Sequence, residues 1–91
     1  MQPTITAESA EILALEALGW LAGQDQALDR FLAVTGIDPA SLRAAAESPG
    51  LGLAVLEFLL SNEELLLAFC EAAGTTSRAV HAARQLLEGA A

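Results

Sequence analysis

Few side chains in this sequence are of types that do chemistry, and they stand apart from one another. Cys70 is the one thiol. It falls within the apolar arc of a helical segment with Leu65, Leu66 and Phe69. A thiol in apolar surroundings stays protonated and inert, so Cys70 is expected to be a buried packing residue. His81 shares a polar helical face with Arg78, Arg84 and Gln85 and is expected at the surface. The two therefore face different environments, which argues against a nucleophile–base pair.

One Cys and one His do not make a usual zinc site, and any metal would need several carboxylates to converge. The chain has no Tyr and no Lys. Gly50-Leu51-Gly52 lacks the strand that precedes a phosphate-binding glycine loop. General acid–base work needs two carboxyls in a cleft, and so short a chain has little room for one. The expectation is a protein that is not an enzyme, with no catalytic residue, no cofactor and no metal.

Glu57 is a different kind of anomaly. It is the lone charge after the first turn of a segment that is apolar on nearly every side: Leu51, Leu53, Val55, Leu56, Phe58, Leu59 and Leu60. Such a helix is central. Glu57 is expected either to pair with an Arg or to lie at an exposed edge.

Charge narrows the partners. The chain carries 12 acids against 4 basic residues, for a net charge of −8. Phosphate backbones and anionic lipids are repelled by such a surface. Two segments do echo a helix-turn-helix: Leu28 to Ala46 around Gly36, and Cys70 to Val80 around Gly74. The last helix would then offer Arg78, His81, Arg84 and Gln85 to a DNA groove. Any two short helices joined through glycine give this spacing, and the scarcity of cations opposes it. Nucleic acid is the less favoured partner.

Apolar residues on polar faces point elsewhere. Near the N-terminus most apolar side chains share an arc with Leu13, Ala17, Trp20 and Leu21. Ile12 and Leu15 point the other way, beside Glu8, Glu11 and Glu16, and Gly19 continues their line. Leu67 lies on one ridge between Glu63 and Glu71. Exposed hydrophobes with acidic rims resemble a contact surface. The competing account is that other helices cover them, or that they are scattered surface residues, which are normal.

The elements that must position these residues are helices. The chain has 91 residues, of which 54% are apolar, dominated by Ala and Leu. These are the strongest helix formers. A length of this order fits one domain, placed at residues 6–89. Residues 1–5 and 90–91 are expected to fray.

Six helices follow from caps and stops. Thr6 caps the first, which runs to about Ala22 and stops at Gly23. Asp25 opens the second and Gly36 closes it. Asp38 caps the third with Pro39 at its first position, Ile37 and Leu42 standing as a hydrophobic staple, and it fades by Glu47. Ser48-Pro49 opens the fourth, which ends at Leu60. Ser61 with Glu64 predicts a capping box for the fifth, ending at Gly74. Thr76 caps the sixth, ending near Gly89.

The chain also echoes itself. At an offset of 38 residues, Leu13, Leu15, Leu18, Leu21, Leu28, Phe31 and Gly36 fall on Leu51, Leu53, Leu56, Leu59, Leu66, Phe69 and Gly74, while Trp20 falls on Phe58. The expected fold is an all-α compact bundle of six short helices in two pseudo-symmetric three-helix halves.

No signal peptide is legible, since Glu8 and Glu11 stand where one would be apolar. The longest uncharged apolar run, Gly50 to Leu56, falls far short of the ~18 residues of a membrane span. One cysteine makes no internal disulfide. The expected location is the cytoplasm, away from membranes.

Several stretches carry a family likeness: Ala17-Leu18-Gly19-Trp20-Leu21-Ala22, Arg30 to Ile37 continuing through Leu42-Arg43, Val55 to Leu60, and Leu65 to Phe69. They resemble an uncharacterised family of small acidic helical proteins of alphaproteobacteria, a domain of unknown function. The likeness spans about Glu11 to Gly89. It implies a bacterial, cytoplasmic, stand-alone helical domain and brings no activity, cofactor or partner with it. This chain departs from the family pattern at Thr75-Thr76-Ser77, where a proline is frequent, which bears on the start of the sixth helix.

These observations favour a small non-catalytic protein-interaction module whose contact residues are Ile12, Leu15, Gly19 and Leu67. The partner is another protein or a second copy of the chain. The alternatives are a DNA-associated regulator using the last helix and a self-associating homodimer that buries excess apolar surface.

Overall fold

A computed structural model describes residues 6–45 and 49–90, with side chains described over 6–42 and 50–89. The described residues form six helices: α1 (Ala7–Ala22), α2 (Asp25–Thr35), α3 (Pro39–Ala45), α4 (Pro49–Leu60), α5 (Glu63–Ala73) and α6 (Ser77–Ala90). They contain no strand. The chain is an all-α bundle, as its composition implies.

Local chemistry sets most of the boundaries. The Thr6 hydroxyl accepts the Ser9 N–H at 3.1 Å, and the Ser9 hydroxyl accepts the Thr6 N–H at 2.9 Å. This reciprocal box fixes the start of α1. Gly36 and Gly74 stand just past α2 and α5 with φ of 74° and 67°. Their N–H groups donate to the Leu32 and Cys70 carbonyls. Only glycine enters that left-handed region without strain, so these two residues end their helices. The Thr76 hydroxyl accepts the Ala79 N–H at 3.1 Å and opens α6 at Ser77. The start of α6 is thus set by a side-chain cap.

Two predicted caps are not made. Among the described residues no N–H bonds to the Asp38 side chain, and the Ser41 N–H donates instead to the Asp38 backbone carbonyl at 2.8 Å. α5 begins at Glu63 with Asn62 as its N-cap, and no side chain caps it. The Ser61 hydroxyl instead donates to the Phe58 carbonyl at 2.9 Å, and the Asn62 amide donates to the same oxygen at 3.0 Å. The free carbonyls at the end of α4 claim both groups before α5 can use them. The expected Ser61–Glu64 box is therefore corrected to a closure of α4. The Ser48 cap, the fading of helix three at Glu47 and the fraying of residues 1–5 and 91 lie outside the described residues. α6 runs to Ala90, one residue past the expected end.

The 38-residue echo is a structural two-fold. α1 and α4 end at Ala22 and Leu60, α2 and α5 begin at Asp25 and Glu63 and end at Thr35 and Ala73, and α3 and α6 begin at Pro39 and Ser77. Each pair is separated by the repeat length. The Trp20 ring of α1 tilts against Phe69 of α5, centroids 5.7 Å apart. Their counterparts, Phe58 of α4 and Phe31 of α2, meet edge to face at 5.3 Å. Where α1 crosses α4, a Cβ on Gly52 would stand 3.1 Å from the Ala14 Cβ. Ala14 and Gly52 are themselves counterparts, and a residue meets its own image only near a two-fold axis.

The symmetry breaks at the third helix. α3 has 7 residues and α6 has 14. α6 packs along both α1 and α4 and buries Val80, Ala83 and Leu87 between them. α3 reaches the core through half-buried Leu42, together with Ile37 just before it. α4 is the central element foreseen: Leu51, Val55, Leu56, Phe58 and Leu59 are all buried.

Candidate functional site

α1 is two-sided. Ala10, Ala14, Ala17 and Leu21 recur at helical spacing and are buried against α4 and α6. Small side chains on this face let the helices approach closely. The opposite face is open. Ile12 is 52% exposed and Leu15 49% exposed, and a Cβ added at Gly19 would meet nothing within 4 Å. One residue set, spaced three and four apart, thus forms an apolar ridge that ends in a notch. Glu8, Glu11 and Glu16 flank it and are exposed. Among the described residues none of these three acids takes part in an ion pair. The structure therefore brings Ile12, Leu15 and Gly19 together on one helical face that stays open among the described residues.

Leu67 is exposed but stands elsewhere. It lies two residues before Phe69, so it projects from the far side of α5 relative to the ring that meets Trp20 of α1. It is 57% exposed and has Glu63 and Glu71 one turn away on either side. It does not join the α1 ridge.

Two features were not read from the sequence. Val34 is 72% exposed in the last turn of α2, although it sits three residues after buried Phe31. Its counterpart under the repeat is Ala72, also exposed, so that corner of each half is uncovered. The repeat pairing of a large with a small residue was the available signal. The second feature is an open groove of about 810 Å³ between the N-termini of α2 and α5, lined by Gln24, Asp25, Arg30, Asn62 and Glu63 among others. Arg30 Nη1 donates across it to Asn62 Oδ1 at 3.3 Å.

The residues with chemical potential are dispersed. Cys70 is buried on α5, and that burial raises its thiol pKa. His81, Arg78 and Gln85 are exposed on α6. Arg84 is not free: its guanidinium lies 3.7 Å from the Glu57 carboxylate and also pairs with Glu88 one turn on. Glu57 thus both pairs with an Arg and keeps an exposed edge, its side chain being 53% accessible. Among the described residues no group of three or more His, Cys, Asp or Glu side chains converges as metal ligands would. No helix there is long and apolar enough to cross a membrane.

Comparison with known proteins adds a family and nothing of function. No curated protein and no solved structure matches the chain. A family model described as a protein of unknown function, DUF3572, matches residues 7–90, which include every helix and the open face of α1. The chain belongs to the DUF3572 family.

Proposed function

We propose that this DUF3572 protein is a small, non-catalytic protein-interaction module of the bacterial cytoplasm, and that the outer face of α1 is its contact surface. One observation carries the proposal: Ile12 and Leu15 lie half-exposed side by side on the face of α1 that stays open among the described residues. Isolated surface apolars are ordinary, but an aligned pair with a glycine notch and an acidic rim is built like the centre and border of an interface. Full burial of a large aliphatic side chain is worth about 1.5–3 kcal/mol, and half of each is already covered. The pair would then supply about 1.5–3 kcal/mol, a factor of roughly 10 to 150 in affinity.

The charge and the ion pairs support a protein rather than DNA as partner. Arg84 is engaged by Glu57 and Glu88, which leaves α6 fewer free cations than the chain's 4 basic residues suggest.

Affinity capture from an extract of the native bacterium, with nuclease added, tests the proposal. Wild type is compared with an Ile12→Gln/Leu15→Gln variant whose fold is checked by circular dichroism. A protein retained by wild type and lost by the folded variant is the expected result. Equal retention by both would remove the α1 face from consideration.

A further inference from the structure

The molecule contains its own example of a helix laid along the edge of such a face: of the α4 counterparts of Ile12, Leu15 and Gly19, Leu53 is half-buried while Gly50 and Glu57 stay exposed. On α4, α6 lies over the strip that runs from Gly52, where Leu87 Cδ1 would be 3.6 Å from an added Cβ, to Glu57, where Arg84 reaches the carboxylate. Leu53, Leu56 and Leu60 fall within that strip by helical spacing. The two-fold carries it onto Ala14, Leu15, Leu18, Gly19 and Ala22 of α1. Ala14, the image of Gly52, is buried, but at the positions of Leu53, Leu56 and Leu60 the α1 strip is the more exposed. Leu56 is fully buried and Leu18 half-buried; Leu53 and Leu60 are half-buried and Leu15 and Ala22 exposed. The helix that would cover the α1 strip is the counterpart of α6, and that counterpart, α3, has half its length.

From this we infer that the occupant of the α1 face is an amphipathic helix of a partner protein with basic edges, laid along α1 as α6 is laid along α4. The inference rests on the interaction reading above and names the partner's chemistry. Its apolar ridge repeats the spacing of Val80, Ala83 and Leu87. Its Arg or Lys side chains meet Glu11 on one side of the ridge and Glu16 on the other, with Glu8 at the end. These acids have no ion-pair partner among the described residues, and the chain's net charge is −8. A second copy would set the same three acids against themselves, which like-charge repulsion disfavours. The open notch at Gly19 admits a bulky ridge residue and lets the two helix backbones approach.

The test is fluorescence anisotropy with the whole protein and two labelled synthetic helices. Both carry the Val80–Ala83–Leu87 ridge spacing; one has Arg at the flanking edge positions and the other has Glu. The expected result is binding of the Arg helix at least about tenfold tighter than the Glu helix. That preference should shrink at high salt, where exposed charges are screened. Ile12→Gln/Leu15→Gln should weaken the Arg helix by about tenfold or more. Glu11→Gln/Glu16→Gln, which leaves the ridge intact, should lower the Arg–Glu preference. Equal affinity for the two helices, or none for either, overturns the basic-helix assignment even where capture shows a partner dependent on Ile12 and Leu15. A wild-type dimer by light scattering that becomes monomeric in the Ile12→Gln/Leu15→Gln variant overturns it in favour of a second copy. An Arg helix that binds wild type and this variant alike sinks both this inference and the reading beneath it.

Discussion

Gly19→Ala separates the stability of α1 from its task. Gly19 lies inside α1, within a helix that ends at Ala22, and its backbone is ordinary helix. Glycine costs about 0.8–1.0 kcal/mol relative to alanine in a helix interior. An added Cβ would meet nothing within 4 Å, so no packing penalty offsets the gain. Position 19 is in the last turn, where fraying reduces the effect, so the expected stabilisation is about 0.5–1 kcal/mol. For a domain of this size that is a rise of about 2–8 °C in Tm. Urea unfolding followed by circular dichroism reads it as a higher midpoint at unchanged slope. The same methyl narrows the notch, so partner affinity should fall while stability rises. An unchanged or lowered midpoint would refute the description of this face as open, regular helix.

Other substitutions probe the core and the caps. Gly52→Val should cost about 1–3 kcal/mol by urea unfolding, because even a Cβ there stands 3.1 Å from the Ala14 Cβ at the α1–α4 crossing. Phe69→Ala should cost about 3–5 kcal/mol, since that ring is 1% exposed and pairs with Trp20. Thr6→Ala should cost about 1 kcal/mol through loss of the α1 cap. Cys70 has its thiol pKa raised by burial, so the unfolded chain loses that proton first and the folded chain holds more protons. Stability should then fall as pH rises past the ordinary thiol value, and Cys70→Ala should lack that part of the decline. Denaturant midpoints on an alkaline pH series check the sign.

Much of the fold was legible because its signals are local. A hydroxyl before a helix, a glycine after one and an apolar arc at period 3.6 act within a few residues, as at Thr6, Gly36, Gly74 and Thr76. The repeat was legible because paired positions keep the same burial, as Phe31 and Phe69 do. Ser61 misled because two helix ends compete for it, and the outcome depends on where the α4 carbonyls point. Exposure at α1 was legible only as two alternatives. Whether Ile12 and Leu15 are covered depends on which side of α1 and α4 receives α6, a matter of tertiary packing. Val34 escaped for the same reason: its local pattern matches the buried face, and no described element covers it.

Site-specific photo-crosslinking in the protein's native cells tests the contact surface most directly. A photoreactive residue at position 15 is compared with one at position 67, both exposed, with the first on the α1 ridge and the second alone on α5. Discrete adducts with another protein from position 15, and none from position 67, are what the α1 surface predicts. No adduct from position 15, or the same adducts from both, would contradict it.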